Sequence, residues 1–264
     1  MLQILFMAIL FGIATSLLGK YSSSLAEFFH IFNELFLKVT TMIIRLIPIA
    51  VFCSILSMML TMGANAMLSV LGMFGTFLLG LIFMMILYAV LIVVAGRLNP
   101  VPFFKRYVPT MLQIFAMASS NASIPINMEA CKKNGISKKV YSLSIPLGAT
   151  LNMDGTCIYM AVFALALAKI YGVEISAIAL VSMIISIIVL SMGAPGIPGS
   201  GLICLSVVLT QIHVPVEAIG LIMGIDAFCG MFRCMSNCLG DMAVSLIVAK
   251  SENELNMDIY RKES

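Results

Sequence analysis

The chain has 264 residues, of which 61% are hydrophobic and only 10% are charged. A soluble domain is roughly a quarter charged, and the mean hydropathy here is +1.11. The composition predicts an integral membrane protein, and a net charge of only +3 gives no support for a nucleic-acid partner. The seven cysteines include no C-x-x-C pair and the two histidines stand alone, so neither disulfides nor a metalloenzyme site are predicted.

Apolar runs long enough to cross a bilayer occupy the first part of the chain. Residues 2–18 predict a short spanning helix rather than a cleaved signal, because no basic segment precedes them. Residues 21–36 are amphipathic and predict an interfacial link, and residues 47–96 carry no charge. A break at 62–66 separates two further predicted spans, which lie at 38–61 and 68–96.

The second half alternates spans with apolar segments that are interrupted by Gly, Pro and Ser. After a basic, proline-rich loop predicted at 97–109, "ASSNASIP" interrupts one segment at 118–125 and "SMGAPGIPGSG" another at 191–201. Lipid cannot satisfy the backbone groups that such breaks free, so both segments predict re-entrant hairpins; two ordinary spans joined by a loop are the alternative. The predicted order is hairpin 103–137, span 140–168, hairpin 175–213, span 218–249 and tail 250–264.

The distribution of Lys and Arg predicts the orientation of these elements. Both ends of the first hairpin are basic, whereas the segments around the second hairpin are poor in Lys and Arg. The first hairpin is therefore predicted to enter from the cytoplasm and the second from outside, with a cytoplasmic C-terminus. This order is an inverted repeat with broken helices, which is typical of transporters that bind substrate near the midplane.

The last span carries polar side chains on one helical stripe. With 3.6 residues per turn, Asp226, Gly230, Arg233, Asn237 and Asp241 face the same way. A charge at the bilayer centre costs about 3 to more than 10 kcal/mol, so the stripe predicts a polar interior surface. The guanidinium can grip a carboxylate at two points, which indicates an anionic ligand; pairing of the charges with one another is the structural alternative.

A second polar motif, "LNMDGT", places Asn152, Asp154 and Gly155 in the middle of the preceding span. These residue types compete for the backbone bonds of a helix, so local unwinding is predicted. Freed carbonyls beside a carboxylate suit a hard cation such as Na⁺. Asp154 and Asp241 are therefore interpreted as cation ligands and Arg233 as an anion clamp, which indicates cation-coupled uptake of an acid.

These motifs resemble the dicarboxylate/amino acid:cation symporter family, which has the glutamate transporter fold. The resemblance covers nearly the whole chain and is carried by "LNMDGT", "GAPGIPGSG" and "GIDAFCGMFRCMSNCLGD", with the serine-rich "SSN" as a weaker match. It implies an all-α integral membrane fold, an inverted repeat with two re-entrant helical hairpins. Residues 1–96 would be a partial N-terminal region of three spans without the family's first helices, and residues 97–264 would be the transport core.

The resemblance also implies where substrate and ions bind. The implied substrate-binding residues are Ser120, Asn121, Thr156, Ile197, Gly201, Gly230, Arg233, Cys234 and Asn237. The implied Na⁺ ligands act partly through backbone carbonyls and form three groups: Gly148, Asn152, Asn237 and Asp241; Thr150, Met153, Ser191, Met192 and Ala194; and Asn152 with Asp154.

The resemblance predicts a symporter of the plasma membrane, not an enzyme, that couples inward movement of Na⁺ to dicarboxylate uptake by an elevator motion. It implies a homotrimer for the full-length protein, and it leaves H⁺ open as a coupling ion. The family's amino acid carriers have Asp at the position of Gly230 and Thr at that of Cys234, where these residues hold the substrate's amino group. A buried ammonium without its carboxylate is costly, which favours a C4-dicarboxylate here.

Four alternatives stay open. A carrier of glutamate or aspartate could hold the amine by other groups, and a truncated remnant would not transport. An intramembrane aspartyl protease would use Asp154 and Asp241 but gives Arg233 no role. A channel would need a continuous charged pore instead of one compact cluster. In the symporter interpretation, Asp226 is a supporting carboxylate near the ions.

Overall fold

A computed structural model describes residues 2–44, 64–194, 196 and 199–261, and positions 46, 49, 52, 53, 56 and 60 singly. Helices dominate these residues, and no β-strand occurs among them. The all-α prediction is confirmed. The α-helices are α1 (Leu2–Leu17), α2 (Ser22–Ile44), α3 (Ala64–Val94), α4 (Pro100–Met117), α5 (Ile124–Lys133), α6 (Lys138–Leu151), α7 (Asp154–Ile170), α8 (Ala177–Met192), α9 (Ser200–Gln211), α10 (Met223–Ser251) and α11 (Met257–Arg261).

Three stretches of the described chain are long and apolar enough to cross a membrane, namely Met67–Val94, Lys138–Ile170 and Met223–Ser251. The second stretch consists of α6 and α7, which are separated by Asn152 and Met153 in non-helical conformations. The break predicted from the "LNMDGT" motif is therefore present, and it opens the backbone in the middle of a span.

Two pairs of short helices contain the other interruptions. Ala118 has a left-handed conformation with φ 49° where α4 ends, and Gly199 has φ 82° where α9 begins. The members of each pair pack against each other, α4 on α5 and α8 on α9. The segment that joins the two helices of each pair forms its tip. The two tips meet where the Ser119 hydroxyl donates a 2.7 Å hydrogen bond to the carbonyl of Gly196.

Helix α4 begins earlier than the sequence indicated. Residues 97–109 were predicted as a loop, but the helix starts at Pro100. The side chain of Asn99 caps this end by accepting a 3.1 Å bond from the Val101 amide. Proline fits the first helical turn because it needs no amide partner there. The loop prediction was therefore wrong beyond residue 99.

Helix α2 also differs from the predicted pattern. It runs unbroken through the boundary between the predicted link at 21–36 and the predicted span at 38–61. Residues 22–44 contain neither Gly nor Pro, so no residue there interrupts the helix. Eleven of the 24 residues of the predicted span at 38–61 lie outside the described residues.

Helix α10 forms the centre of the packing. Of its apolar stretch, 67% is buried inside the protein, against 22% for α3. It packs against α3, α4, α6 and α7. A polar face on this helix is therefore enclosed by protein rather than presented to lipid.

The end of the chain folds back onto the helix ends. Lys139 pairs with Glu254 at 2.9 Å, and the Tyr260 hydroxyl donates to the carbonyl of Asn99 at 2.8 Å. Burial raises the pKa of Tyr260 to about 12, and hydrogen bonds from Lys139 and Ser137 lower the pKa of Glu254. These contacts hold the start of α4 and the start of α6 close to the C-terminal segment.

Candidate functional site

The polar stripe of α10 is buried along its whole length. Asp226, Gly230, Arg233, Asn237 and Asp241 all lie on its inner face. The Nη2 atom of Arg233 lies 3.4 Å from Oδ1 of Asp226, two turns away. The carboxylate of Asp226 thus pairs with the guanidinium, and the expectation that it supports the ions stays a prediction.

The guanidinium of Arg233 is enclosed on several sides but is not fully satisfied. Its Cζ atom lies 4.2 Å from the ring centre of Tyr159, and Gly201 leaves no room for a Cβ atom beside it. The Nη1 atom is buried and has no hydrogen-bond partner among the described residues. Such a donor costs about 1–3 kcal/mol, a cost that a bound anion would remove.

A narrow cavity opens beside the guanidinium. It lies between the two tips, the start of α7 and the middle of α10. None of the described residues that line it is acidic. The lining residues are Ala118, Ser120, Met153, Thr156, Gly196, Ser200, Gly230, Arg233, Cys234 and Asn237.

Six of the nine residues predicted to bind substrate line this cavity, including Ser120, Thr156 and Asn237. Gly201 lies behind the guanidinium. Asn121 is half-buried and lies against Gly196 of the other tip. Ile197 lies outside the described residues.

Gly230 and Cys234 form the part of the wall where the amino acid carriers would place their amine ligands. A Cβ atom at Gly230 would lie 3.3 Å from Nη2 of Arg233, so the position faces the guanidinium. The Cys234 thiol lies 3.8 Å from the Ser120 hydroxyl and 4.0 Å from that of Ser123. This wall offers a thiol and hydroxyls, but no anion for an ammonium group.

The first group of predicted Na⁺ ligands is assembled next to the cavity. The Asn152 amide donates to the carbonyl of Asn237 at 3.3 Å and to Oδ1 of Asp241 at 3.2 Å. The other carboxylate oxygen of Asp241, Oδ2, is buried without a partner in the described chain. Gly148 leaves no room for a Cβ atom against this carboxylate. The Asn237 carbonyl and the Asp241 carboxylate are acceptors that suit a cation. Both thus lie within hydrogen-bond distance of the Asn152 amide.

Asp154 lies beside this first group of ligands. It was predicted to belong to the third group of Na⁺ ligands, together with Asn152. Its Oδ2 atom accepts hydrogen bonds from Tyr88 at 3.0 Å and from Ser236 at 3.4 Å. Its Oδ1 atom is buried without a partner among the described residues. Gly240 brings Asn152 and the Tyr88 hydroxyl together, because a Cβ atom there would overlap both.

The members of the second group of predicted Na⁺ ligands are not joined to one another by side-chain hydrogen bonds among the described residues. Thr150 is exposed and donates to the Leu147 carbonyl, and Met192 is 40% exposed. Ser191 donates to the Ile188 carbonyl at 2.8 Å. The remaining two members are both buried, and they are Met153 and Ala194.

Sequence reasoning did not assign the cavity-lining residues Ala118, Gly196 and Ser200 to the site. It also missed three residues around the cavity, namely Tyr88, Tyr159 and Ser236. Tyr88 is the one tyrosine in the charge-free stretch 47–96. A buried tyrosine hydroxyl usually finds a hydrogen-bond partner, so this residue could have been identified as part of a polar site. Tyr159 lies five residues after Asp154, and Ser236 five residues before Asp241, a spacing that does not place them on the same helical face. Helical periodicity around the two carboxylates therefore gave no signal for either residue.

The fold and the site together define a class of protein. A broken spanning helix, buried carboxylates and a buried arginine beside a cavity are features of helical membrane transporters. The sequence profile of the Sodium:dicarboxylate symporter family matches residues 1–251. The chain belongs to this family, whose members are transporters and not enzymes.

The relatives of the chain include both dicarboxylate transport proteins and an amino acid transporter. The chain is 32% identical over 262 residues to "C4-dicarboxylate transport protein" of Bacillus subtilis, covering 97% of this chain and 61% of that protein. The protein of the same name from Brucella anthropi is 31% identical, with 97% of this chain and 58% of the relative covered. "Excitatory amino acid transporter 2" of Mus musculus is 31% identical over 94% of this chain and 44% of its own length. The chain thus spans about 60% or less of these curated relatives.

Proposed function

We propose that the chain forms the substrate-binding part of a secondary active symporter that carries a small dicarboxylate with Na⁺. The observation that carries this proposal is the buried guanidinium of Arg233, which lies beside a cavity. Its Nη1 atom has no partner among the described residues, and none of the described residues that line the cavity is acidic. One carboxylate of the substrate would bind the guanidinium, and the Asn237 amide and Ser120 hydroxyl would orient the rest.

The choice of a C4-dicarboxylate over glutamate or aspartate rests on the cavity wall. Overall identity does not separate the two, since it is 32% to a C4-dicarboxylate transport protein and 31% to an excitatory amino acid transporter. The glycine at 230 and the thiol at 234 provide no negative charge for an ammonium group. A dicarboxylate needs no such charge, whereas an amino acid would bury its ammonium without an anion.

Na⁺ would travel as cargo near Asp154 and Asp241. The unpaired carboxylate oxygens of these two residues and the Asn237 carbonyl are hard oxygen donors, which suit Na⁺. The Asn152 amide donates to two of these acceptors, so cation binding would require this amide to turn away. A proton is the alternative coupling ion. The second predicted group, from Thr150 to Ala194, would bind Na⁺ between the end of α8 and the break at 152–153, where the Cys157 thiol already donates to the Ser191 hydroxyl at 3.1 Å.

We further propose that both helix pairs re-enter the membrane. Helix α8 has 16 residues and α9 has 12, each fewer than the roughly 20 that a span needs. Residues 97–264 would then be a transport core that moves as an elevator, with the second pair as its gate. The N-terminal spans at 2–18, 38–61 and 68–96 would belong to a partial scaffold. The full-length protein would be a homotrimer of the plasma membrane with a cytoplasmic C-terminus.

Binding measured on the purified chain tests the substrate and the ion together. Radiolabelled succinate should bind in NaCl but not in choline chloride, and unlabelled fumarate should displace it better than glutamate or aspartate. The proposal is wrong if either amino acid displaces succinate more effectively. Retention of Na⁺ dependence at low pH separates Na⁺ from H⁺ as the coupling ion.

Uptake into proteoliposomes tests transport itself. Succinate should accumulate when an inward Na⁺ gradient is imposed and should not accumulate when that gradient is collapsed. The matched control is Arg233→Lys, which keeps a buried charge for Asp226 but loses the two-point grip on a carboxylate. Na⁺-dependent binding without accumulation would identify the chain as a non-transporting remnant.

A further inference from the structure

A second cavity lies between α4 and α5, and it shares no lining residue with the cavity at Arg233. It is open to the surface of the protein. Lys105, Arg106 and Thr110 line it from α4, and Glu129 and Lys133 line it from α5. Substrate binding at Arg233 gives these residues no role.

The charge of this cavity is strongly unbalanced. Three cationic side chains, Lys105, Arg106 and Lys133, face one carboxylate, Glu129, so the lining has a net charge of +2. Lys105, Glu129 and Lys133 are exposed, which leaves them accessible to a ligand from outside the protein. The cavity is thus suited to an anionic group, and phosphate is the anion that clustered Lys and Arg side chains commonly bind.

Exposed apolar side chains lie on the same helix as two of the cationic residues. Val108 and Leu112 lie on the same helix, and they are 48% and 64% exposed. The basic ends of this helix pair are predicted to lie at the cytoplasmic face of the membrane. A ligand there can place its charge among the lysines and an apolar chain along α4. A free anion would use only the first of these features.

We propose that this cavity binds the phosphate headgroup of an anionic phospholipid of the inner leaflet. Lys105, Arg106 and Lys133 contact the headgroup, and an acyl chain lies along Val108 and Leu112. Basic pockets between helices on the cytoplasmic side are suited to such headgroups. The lipid would hold the two arms of the first helix pair together at the membrane surface.

Native mass spectrometry of the purified chain tests this proposal directly. Phosphatidylglycerol and phosphatidylcholine with identical acyl chains are titrated separately, and the lipid-bound fraction gives the dissociation constant of each. The chain should bind phosphatidylglycerol at least about tenfold more tightly. Each lysine contributes about fivefold to binding of an anionic surface, so Lys105→Gln with Lys133→Gln should weaken phosphatidylglycerol binding about 25-fold.

The matched control is Lys132→Gln with Lys138→Gln, which removes the same charge from exposed lysines of the same region that do not line the cavity. This control should retain the affinity for phosphatidylglycerol. An equal loss in both double variants, or equal binding of the two lipids, overturns the proposal. Full displacement of phosphatidylglycerol by millimolar inorganic phosphate also overturns it, because the site would then bind a free anion. Succinate binding at Arg233 is measured in parallel to show that each variant is folded.

Discussion

The guanidinium of Arg233 occupies the space in which a Cβ atom of Gly201 would lie. Helix α9 therefore approaches α10 this closely only because residue 201 has no side chain. The contact places the second helix pair directly behind the anion-binding group. Movement of that pair would consequently alter the position of the guanidinium.

Gly201→Ala should displace the guanidinium and weaken succinate binding. The new methyl group overlaps Nη1, so Arg233 must leave its place over Tyr159. The loss of one charge-assisted hydrogen bond corresponds to about tenfold or more in affinity. Equilibrium binding of labelled succinate measures the effect. Gly75→Ala is the control, because a Cβ atom at Gly75 meets no atom within 4 Å, and equal losses in both variants would contradict the interpretation.

Gly230→Asp should reduce succinate binding by about tenfold or more and favour an amino acid. The new carboxylate would lie beside Nη2 of Arg233, where it competes with the substrate carboxylate and provides an anion for an ammonium group. Gly230→Asn is its neutral counterpart of the same shape. Competition between succinate and aspartate measures the preference, and a shift of the same size in both variants would show that side-chain volume, not charge, is responsible.

Asp241→Asn should raise the Na⁺ concentration needed for half-maximal succinate binding by about tenfold or more. The substitution removes a buried anion next to the Asn237 carbonyl while keeping the shape of the side chain. A Na⁺ titration at fixed succinate measures this change. Asp258→Asn, at an exposed position on α11, should leave the titration unchanged. An unchanged titration in Asp241→Asn would remove this carboxylate from the ion sites.

Tyr88→Phe should raise the Na⁺ concentration needed for half-maximal succinate binding about fivefold. The affinity for succinate at saturating Na⁺ should stay unchanged. The tyrosine hydroxyl donates a hydrogen bond that orients the carboxylate of Asp154. The loss of this hydrogen bond costs about 1 kcal/mol. The same Na⁺ titration measures the effect. Tyr171→Phe is the matched control, since that tyrosine is 43% exposed. A loss of succinate affinity at saturating Na⁺ would point to a general packing defect instead.

The order of elements could be predicted from sequence because its signals are local. Apolar run length, and the interruptions by Asn, Asp and Gly near 152–155, depend only on neighbouring residues. The same locality explains the wrong loop at 97–109. The proline-rich composition suggested a loop, whereas Pro100 and the cap at Asn99 start a helix.

The sequence by itself determined that the chain is a helical membrane protein with one buried polar stripe, because helical periodicity places Asp226, Arg233 and Asp241 on one face. Only the tertiary structure decided which partner each charge has. Asp226 pairs with Arg233 on the same helix, one of the pairings that the stripe allowed, whereas Tyr88 reaches Asp154 from 66 residues away. Buried charges take whichever partners the packing of distant helices brings within hydrogen-bond distance, and helical periodicity carries no information about that packing.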